Sequence, residues 1–184
     1  MGIERIQKTF EIQVRWRAFP LHPETPEQGR TLEDLFAGRG VDIPRMMDRL
    51  RQVAADQGLP FGDRHRTFNS RKAQELGKWA ESLGRGDAFH DAAFAAYFVE
   101  GRNIADRAVL ADVAASAGLS AAEVDAALAN RAFADAVDED WALAMRTGIN
   151  AVPTLVLNQR LVSGFQPYAN LAAWIASMGV QRRE

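Results

Sequence analysis

Apolar positions change period along the chain, and each change marks an element. Ile3, Ile6 and Phe10 fall at i, i+3 and i+7, one face of a helix. From Glu11 the period becomes two. Ile12, Val14 and Trp16 alternate with Gln13, Arg15 and Arg17, which predicts a strand with one face in a core. Pro20, Pro23 and Pro26 make the stretch from Phe19 to Gly29 an extended or turning loop. A helical period then returns for most of the chain. Thr31 is placed to cap a short helix, with Glu33 and Asp34 near its positive end. Asp42 and Pro44 open the next, with Met47, Leu50 and Ala54 on one stripe and Gly58 as the stop. Asn69 or Ser70 opens a helix carrying Ala73, Leu76, Ala80 and Leu83. Asp87 opens one carrying Phe89, Phe94, Tyr97 and Phe98 as far as Gly101, and Asp106 one that ends at Gly118. Ser120-Ala121-Ala122-Glu123 reads as a capping box, and a last helix of the series runs from about Phe133 to Thr147.

That helical region stops at Gly148, and a short loop delivers the chain to Pro153. Thr154 to Leu157 is β-branched and apolar without alternation, the pattern of a strand buried on both faces. Asn158-Gln159-Arg160 turns the chain into Leu161-Val162-Ser163, so the two strands form a hairpin. Gln166-Pro167 leads into a final helix with Leu171, Trp174, Ile175 and Met178. Pro153 fixes its own φ, lacks an N–H and drives Val152 into an extended conformation. Backbone groups left unpaired at Val152 can take an extended peptide as an added strand. The same residues also read as an ordinary loop-to-strand junction.

Composition narrows the picture. With 184 residues, 47% of them apolar and 25% charged, the chain suits one soluble domain with a good core. A net charge of −2 with interspersed signs gives no electrostatic case for nucleic acid or an anionic membrane. No apolar run approaches the roughly 20 residues of a membrane span, and the first residues lack the apolar core of a signal peptide. A cytoplasmic location is expected. There is no cysteine, so disulfides, thiolate nucleophiles and cysteine metal sites are excluded within these residues.

The run Gly148-Ile149-Asn150-Ala151-Val152-Pro153-Thr154-Leu155-Val156-Leu157, followed by Val162-Ser163-Gly164-Phe165-Gln166-Pro167, resembles the C-terminal half of DsbA-family thioredoxin-fold proteins. Within that family the FrnE-like dithiol-disulfide oxidoreductases are the most similar branch. The stretch from Val14 to Pro26 and Ala96-Tyr97-Phe98-Val99-Glu100-Gly101-Arg102 fit the same branch. The resemblance implies an α/β fold, thioredoxin-like (DsbA-like), with residues 1–30 and 148–184 as the core and 31–147 as a large all-helical insertion. It implies a thiol–disulfide oxidoreductase or isomerase that holds its substrate at a cis-proline loop formed by Val152 and Pro153. Phe165 stands where relatives carry a small residue and is expected to narrow the pocket beside that loop. Asn69 matches an asparagine near the ligand in glutathione-using relatives, but it also matches an ordinary helix cap, which is the favoured reading.

Family members carry a Cys-x-x-Cys on the helix after the first strand, and the match here begins just downstream of that pair. The chain also starts with a helix that feeds a strand, although a parallel crossover requires a strand before the helix. The first strand is therefore expected to be missing, and Met1 to be an internal methionine of a longer protein. The slot between Glu11–Arg17 and Thr154–Leu157 should be empty, wet, collapsed or filled by another chain. Two other readings stand beside this one. One is a glutathione-dependent isomerase of the 2-hydroxychromene-2-carboxylate type, and the other a non-catalytic peptide-binding protein. The expected partners are a peptide or thiol substrate, with a homodimer through strand exchange also admitted. No resident cofactor is required, and glutathione is admitted as a thiol donor.

The remaining polar candidates carry less. His22, His65 and His90 lack the i, i+4 spacing of a helical metal pair and read as surface or capping residues. Asp138, Glu139 and Asp140 point in different directions on a helix and read as a solvated face. Gly38-Arg39-Gly40 and Gly84-Arg85-Gly86 read as turns, and the four tryptophans as core or groove-lining residues.

Overall fold

Local signals set most of the element boundaries. The computed structural model describes residues 2–183, so the expectation about Met1 lies outside the described residues. In chain order the elements are α1 (Gly2–Thr9), β1 (Arg30–Thr31), α2 (Leu32–Leu35), α3 (Ile43–Asp56), β2 (Arg66–Thr67), α4 (Arg71–Ser82) and α5 (Gly86–Phe94). The last of these runs into a π-helical turn, Ala95–Val99. Then come α6 (Arg107–Ser116), α7 (Ala121–Ala129), α8 (Ala134–Arg146), β3 (Thr154–Leu157), β4 (Arg160–Ser163) and α9 (Tyr168–Ser177). Backbone contacts divide the chain into two compact units, His22–Glu139 and the pair of segments Met1–Leu21 and Asp140–Glu184.

In the unit His22–Glu139, side chains satisfy the free N–H groups at several helix starts. Thr31 Oγ1 accepts from Asp34 N (3.0 Å) and Asp42 Oδ1 from Arg45 N (3.0 Å). Asp106 Oδ1 accepts from Ala108 N and Val109 N, at 2.8 and 3.1 Å. The expected capping box at α7 does not form. Ser120 is the cap residue through its backbone, but its side chain makes no cap hydrogen bond. Helices α4 to α7 enclose the main core around Leu76, Trp79, Phe89, Leu110, Val113 and Val124. A smaller cluster joins Leu32, Leu35 and Met47. Gly62 lies against the π-helical turn. Its N–H donates to Phe98 O (2.9 Å), and a Cβ there would stand 1.9 Å from Val99 O.

An ion network ties α4 to the start of α8. Glu75, almost fully buried, accepts from Arg71 Nε (2.6 Å) and Arg131 Nη2 (3.4 Å). Arg71 also reaches Asp138 (2.5 Å) and Ala134 O (2.9 Å). Burial works against the Arg71 charge, but its bonds to Asp138 and Glu75 outweigh that and hold its pKa above the ordinary value.

In the other unit, α1 and α9 close one side of the β3–β4 hairpin. Ile6, Phe10, Leu171, Ala172 and Ile175 are buried, and Leu155, Leu157 and Val162 pack against them. Two expectations need correction here. Thr154–Leu157 is not buried on both faces, because Val156 is 54% exposed and its cross-strand partner Leu161 is 48% exposed. Helices α1 and α9 pack on one face of this hairpin, and Val156 and Leu161 stand half exposed on the other. Glu11–Arg17 keeps the alternation of a strand, odd residues exposed and even ones half-buried, but forms no ladder. The carboxy-terminal segment pairs with the chain just ahead of this stretch and at its first residue, by the Phe10↔Arg182 bridge, the bond from Arg183 N to Thr9 O (2.9 Å) and the bond from Glu11 N to Gln181 O (2.9 Å). No described residue bonds the backbone of Gln13, Val14 or Arg15. Alternation is a local property, while a ladder needs a neighbour from elsewhere in the chain.

Candidate functional site

The loop before β3 is held at both ends. Helix α8 ends in a pair of bonds, Ile149 N to Ala144 O (2.9 Å) and Gly148 N to Met145 O (3.2 Å). Gly148 takes the left-handed conformation that this helix stop requires, at φ +69°. At the far end Gly164 N donates to Pro153 O (2.8 Å), and the Val152–Pro153 peptide is cis. Thr154 Oγ1 donates to Ala151 O (2.7 Å) and lies 2.7 Å from Ser163 Oγ. The hydroxyl thus stitches the loop to its own strand and to β4.

The structure brings Val152, Pro153 and Phe165 to the same end of the hairpin, because Pro153 pairs with Gly164. Val152 is 45% exposed and Phe165 52% exposed. No backbone or side-chain hydrogen bond engages the N–H or C=O of Val152 among the described residues. The bonds that shape the loop come from backbone, hydroxyl and amide groups, with no titratable side chain among them. Such a loop can hold an extended chain by its backbone, but it supplies neither a general acid or base nor a thiolate.

Asn69 belongs to the unit His22–Glu139. Its amide nitrogen donates to Thr25 O (2.7 Å) and Pro23 O (3.1 Å), and its oxygen accepts from Arg71 N (2.9 Å). It thereby fastens the proline-rich loop to the start of α4, and a ligand there meets only the remaining lone pair of Oδ1.

Asp140 is the residue that sequence reasoning missed. It was expected on a solvated face, yet it is 2% exposed. Its carboxylate accepts from Arg17 Nη1 (2.8 Å) and Ala18 N (2.8 Å), fixing the end of the extended amino-terminal segment to α8. An acidic triplet gave no signal of this, because its partners lie about 120 residues earlier. His90 is also not a plain surface residue. It is partly buried, its Nδ1 lies 3.3 Å from Gly86 O, and burial pushes its pKa below the ordinary value.

A family model described as DSBA-like thioredoxin domain matches residues 1–176. No curated protein matches the chain. Among solved structures, a probable DsbA oxidoreductase from Streptomyces coelicolor superposes with a TM-score of 0.87 at 29% identity, covering 100% of this chain and 84% of that one. The cytosolic disulfide reductase DsbM from Pseudomonas aeruginosa, solved with GSH, gives 0.53 at 28% identity, covering 74% of this chain and 78% of that one. A 2-hydroxychromene-2-carboxylate isomerase gives 0.63 at 20% identity, over 74% of this chain and 66% of that one, a likeness of fold alone.

Proposed function

We propose, for a chain that belongs to the DSBA-like thioredoxin domain family, that it holds a peptide or thiol substrate at the Val152–Pro153 loop for thiol–disulfide exchange. The observation that carries this is the free backbone of Val152 on a loop pinned at both ends. An extended substrate can bond there as it would to a strand edge, and Phe165 borders the same end of the hairpin. We place the chain in the FrnE-like branch, on the run from Val14 to Pro26, and in the cytoplasm, which the likeness to a cytosolic disulfide reductase supports.

In the exchange itself a thiolate attacks one sulfur of a disulfide. A new S–S bond forms, the old one breaks, and the second sulfur leaves as a thiolate. These 184 residues contain no cysteine. The attacking thiolate therefore belongs to another reactant or lies outside them, and the part played here is to bind and orient. Glutathione fits in part. Val152 can bond its peptide groups, while both amide hydrogens of Asn69 are engaged by Pro23 and Thr25.

Two measurements test the reading. In an insulin-reduction assay without added thiol, the chain should give the rate of buffer alone, and turnover above that rate would overturn the binding-only role. In amide NMR spectra, titration with reduced and alkylated insulin B chain should shift the Val152 signal. A titration that leaves Val152 unmoved defeats the substrate loop.

A further inference from the structure

The close approach of Gly62 to the π-helical turn sets a charged side chain on two rings. Arg64 follows two residues later, and its guanidinium carbon lies 4.8 Å from the centre of the Tyr97 ring and 5.4 Å from that of Phe98. Both distances are within the reach of a cation–π attraction. The rings themselves are fixed. Tyr97 and Phe98 meet edge to face at 4.8 Å, and Phe61 and Phe94 stack on Phe98 at 6.2 and 5.7 Å. The Tyr97 hydroxyl shares a hydrogen bond with Thr67 Oγ1 (3.0 Å). Turns of this π-helical kind are rare and recur at functional sites.

Rings hold Arg64 where hydrogen bonds hold its neighbours. Its Nε is sealed from solvent without an acceptor, while Nη1 and Nη2 stay accessible and donate to no described residue. The other half-buried arginines of His22–Glu139 are Arg30, Arg51, Arg71 and Arg102, and each donates to a carboxylate or carbonyl oxygen. Those bonds also occupy the acids beside Arg64. Arg51 takes Asp63, the preceding residue, and Arg102 takes Glu100. Glu100 precedes Gly101, where an added Cβ would stand 3.5 Å from Asp63 O.

We propose that the Nη1–Nη2 fork of Arg64 is a recognition site for the carboxylate of a small organic acid. A planar fork matches two carboxylate oxygens through two parallel N–H···O bonds. The rings fix its orientation before the ligand arrives, which lowers the cost of ordering it. Charge decides between anions. A phosphate monoester carries about −1.5 to −2 at neutral pH, more than one guanidinium matches. Arg66, the next arginine in the chain, is turned to Gln28 O and Gly29 O instead. The site lies within His22–Glu139 and uses nothing of the Val152–Pro153 loop, so either idea can fail alone.

The experiment follows the Arg64 Nε–Hε and Tyr97 ring signals by NMR at constant ionic strength, with N-acetylglycine as the probe. Both signals should move and saturate by about 10 mM. N-acetylglycinamide, which lacks the carboxylate, should move neither. Arg64→Lys keeps the charge and loses the fork, and should weaken binding about tenfold or more, read at Tyr97. The amide control on the parent protein keeps the test valid if that variant is destabilised. Shifts that never saturate, equal responses to acid and amide, or tighter binding of inorganic phosphate would overturn the proposal. So would an unchanged affinity in Arg64→Lys, since charge alone would then account for the binding.

Discussion

In His22–Glu139 the apolar faces meet one another, and Leu76, Leu110 and Val124 are fully enclosed by helices close to them in the chain. In the other unit α1 and α9 cover one side of a two-stranded sheet, while Val156 and Leu161 stay half exposed on the other. Most of the large apolar side chains in solvent belong to this smaller unit, among them Met145, Val152 and Phe165. The contrast teaches where each kind of core gets its partners. A helix satisfies its own backbone and needs only a neighbour's side chains, whereas a strand needs both a cover and a paired edge.

Substitutions can break this contrast. The largest effect is expected at Leu110→Ala, which empties a fully buried site and should cost about 2–5 kcal/mol in urea unfolding. Gly62→Ala comes next, at about 1–3 kcal/mol, because the added methyl meets the rigid Val99 carbonyl rather than a side chain that can move. Restoring stability by relaxing the π-helical turn would appear as a changed circular-dichroism spectrum instead.

His90 should give a smaller, pH-dependent effect. Burial lowers its folded pKa and Lys78 adds to this, against opposing pulls from Glu81, Asp87 and Asp91. The unfolded chain then binds the proton more readily than the folded one. Its contribution is complete above the ordinary histidine value of about 6.5, declines as pH falls below that, and levels off below the folded value. The urea midpoint should drop between about pH 7.5 and pH 5, and less so in His90→Gln. Equal slopes would rule out His90 as the source. The smallest change is expected at Val156→Thr, within about 0.5 kcal/mol, since that side chain already stands in solvent. A loss near that of Leu110→Ala would show that the outer face of the hairpin is covered in solution.

Helix boundaries were legible in the sequence because their signals are local. Asp42, Asp106 and Gly148 each act within a few residues, and each behaves as expected. The alternation of Glu11–Arg17 was legible too, but its pairing depends on a distant neighbour, and only Phe10 and Glu11 meet one. Thr154–Leu157 looked doubly buried because apolar composition reports what a surface prefers, not whether a cover is present. At the candidate site, Val152-Pro153-Thr154 stood out by its proline. Asp140 did not, since nothing in an acidic triplet marks the member that turns inward to meet Arg17 and Ala18.

The phase of the hairpin also sets a clock. Because Pro153 O accepts from Gly164 N, Leu155 and Leu157 are the residues that bond across to β4, whereas no backbone bond among the described residues reaches Thr154 or Val156. Placed in heavy water, β3 should trade its amide protons in an alternating rhythm, two quickly and two slowly, along four consecutive residues. A stretch that is uniformly extended by shape would then be divided by time, and the slow pair would mark the side on which β4 lies.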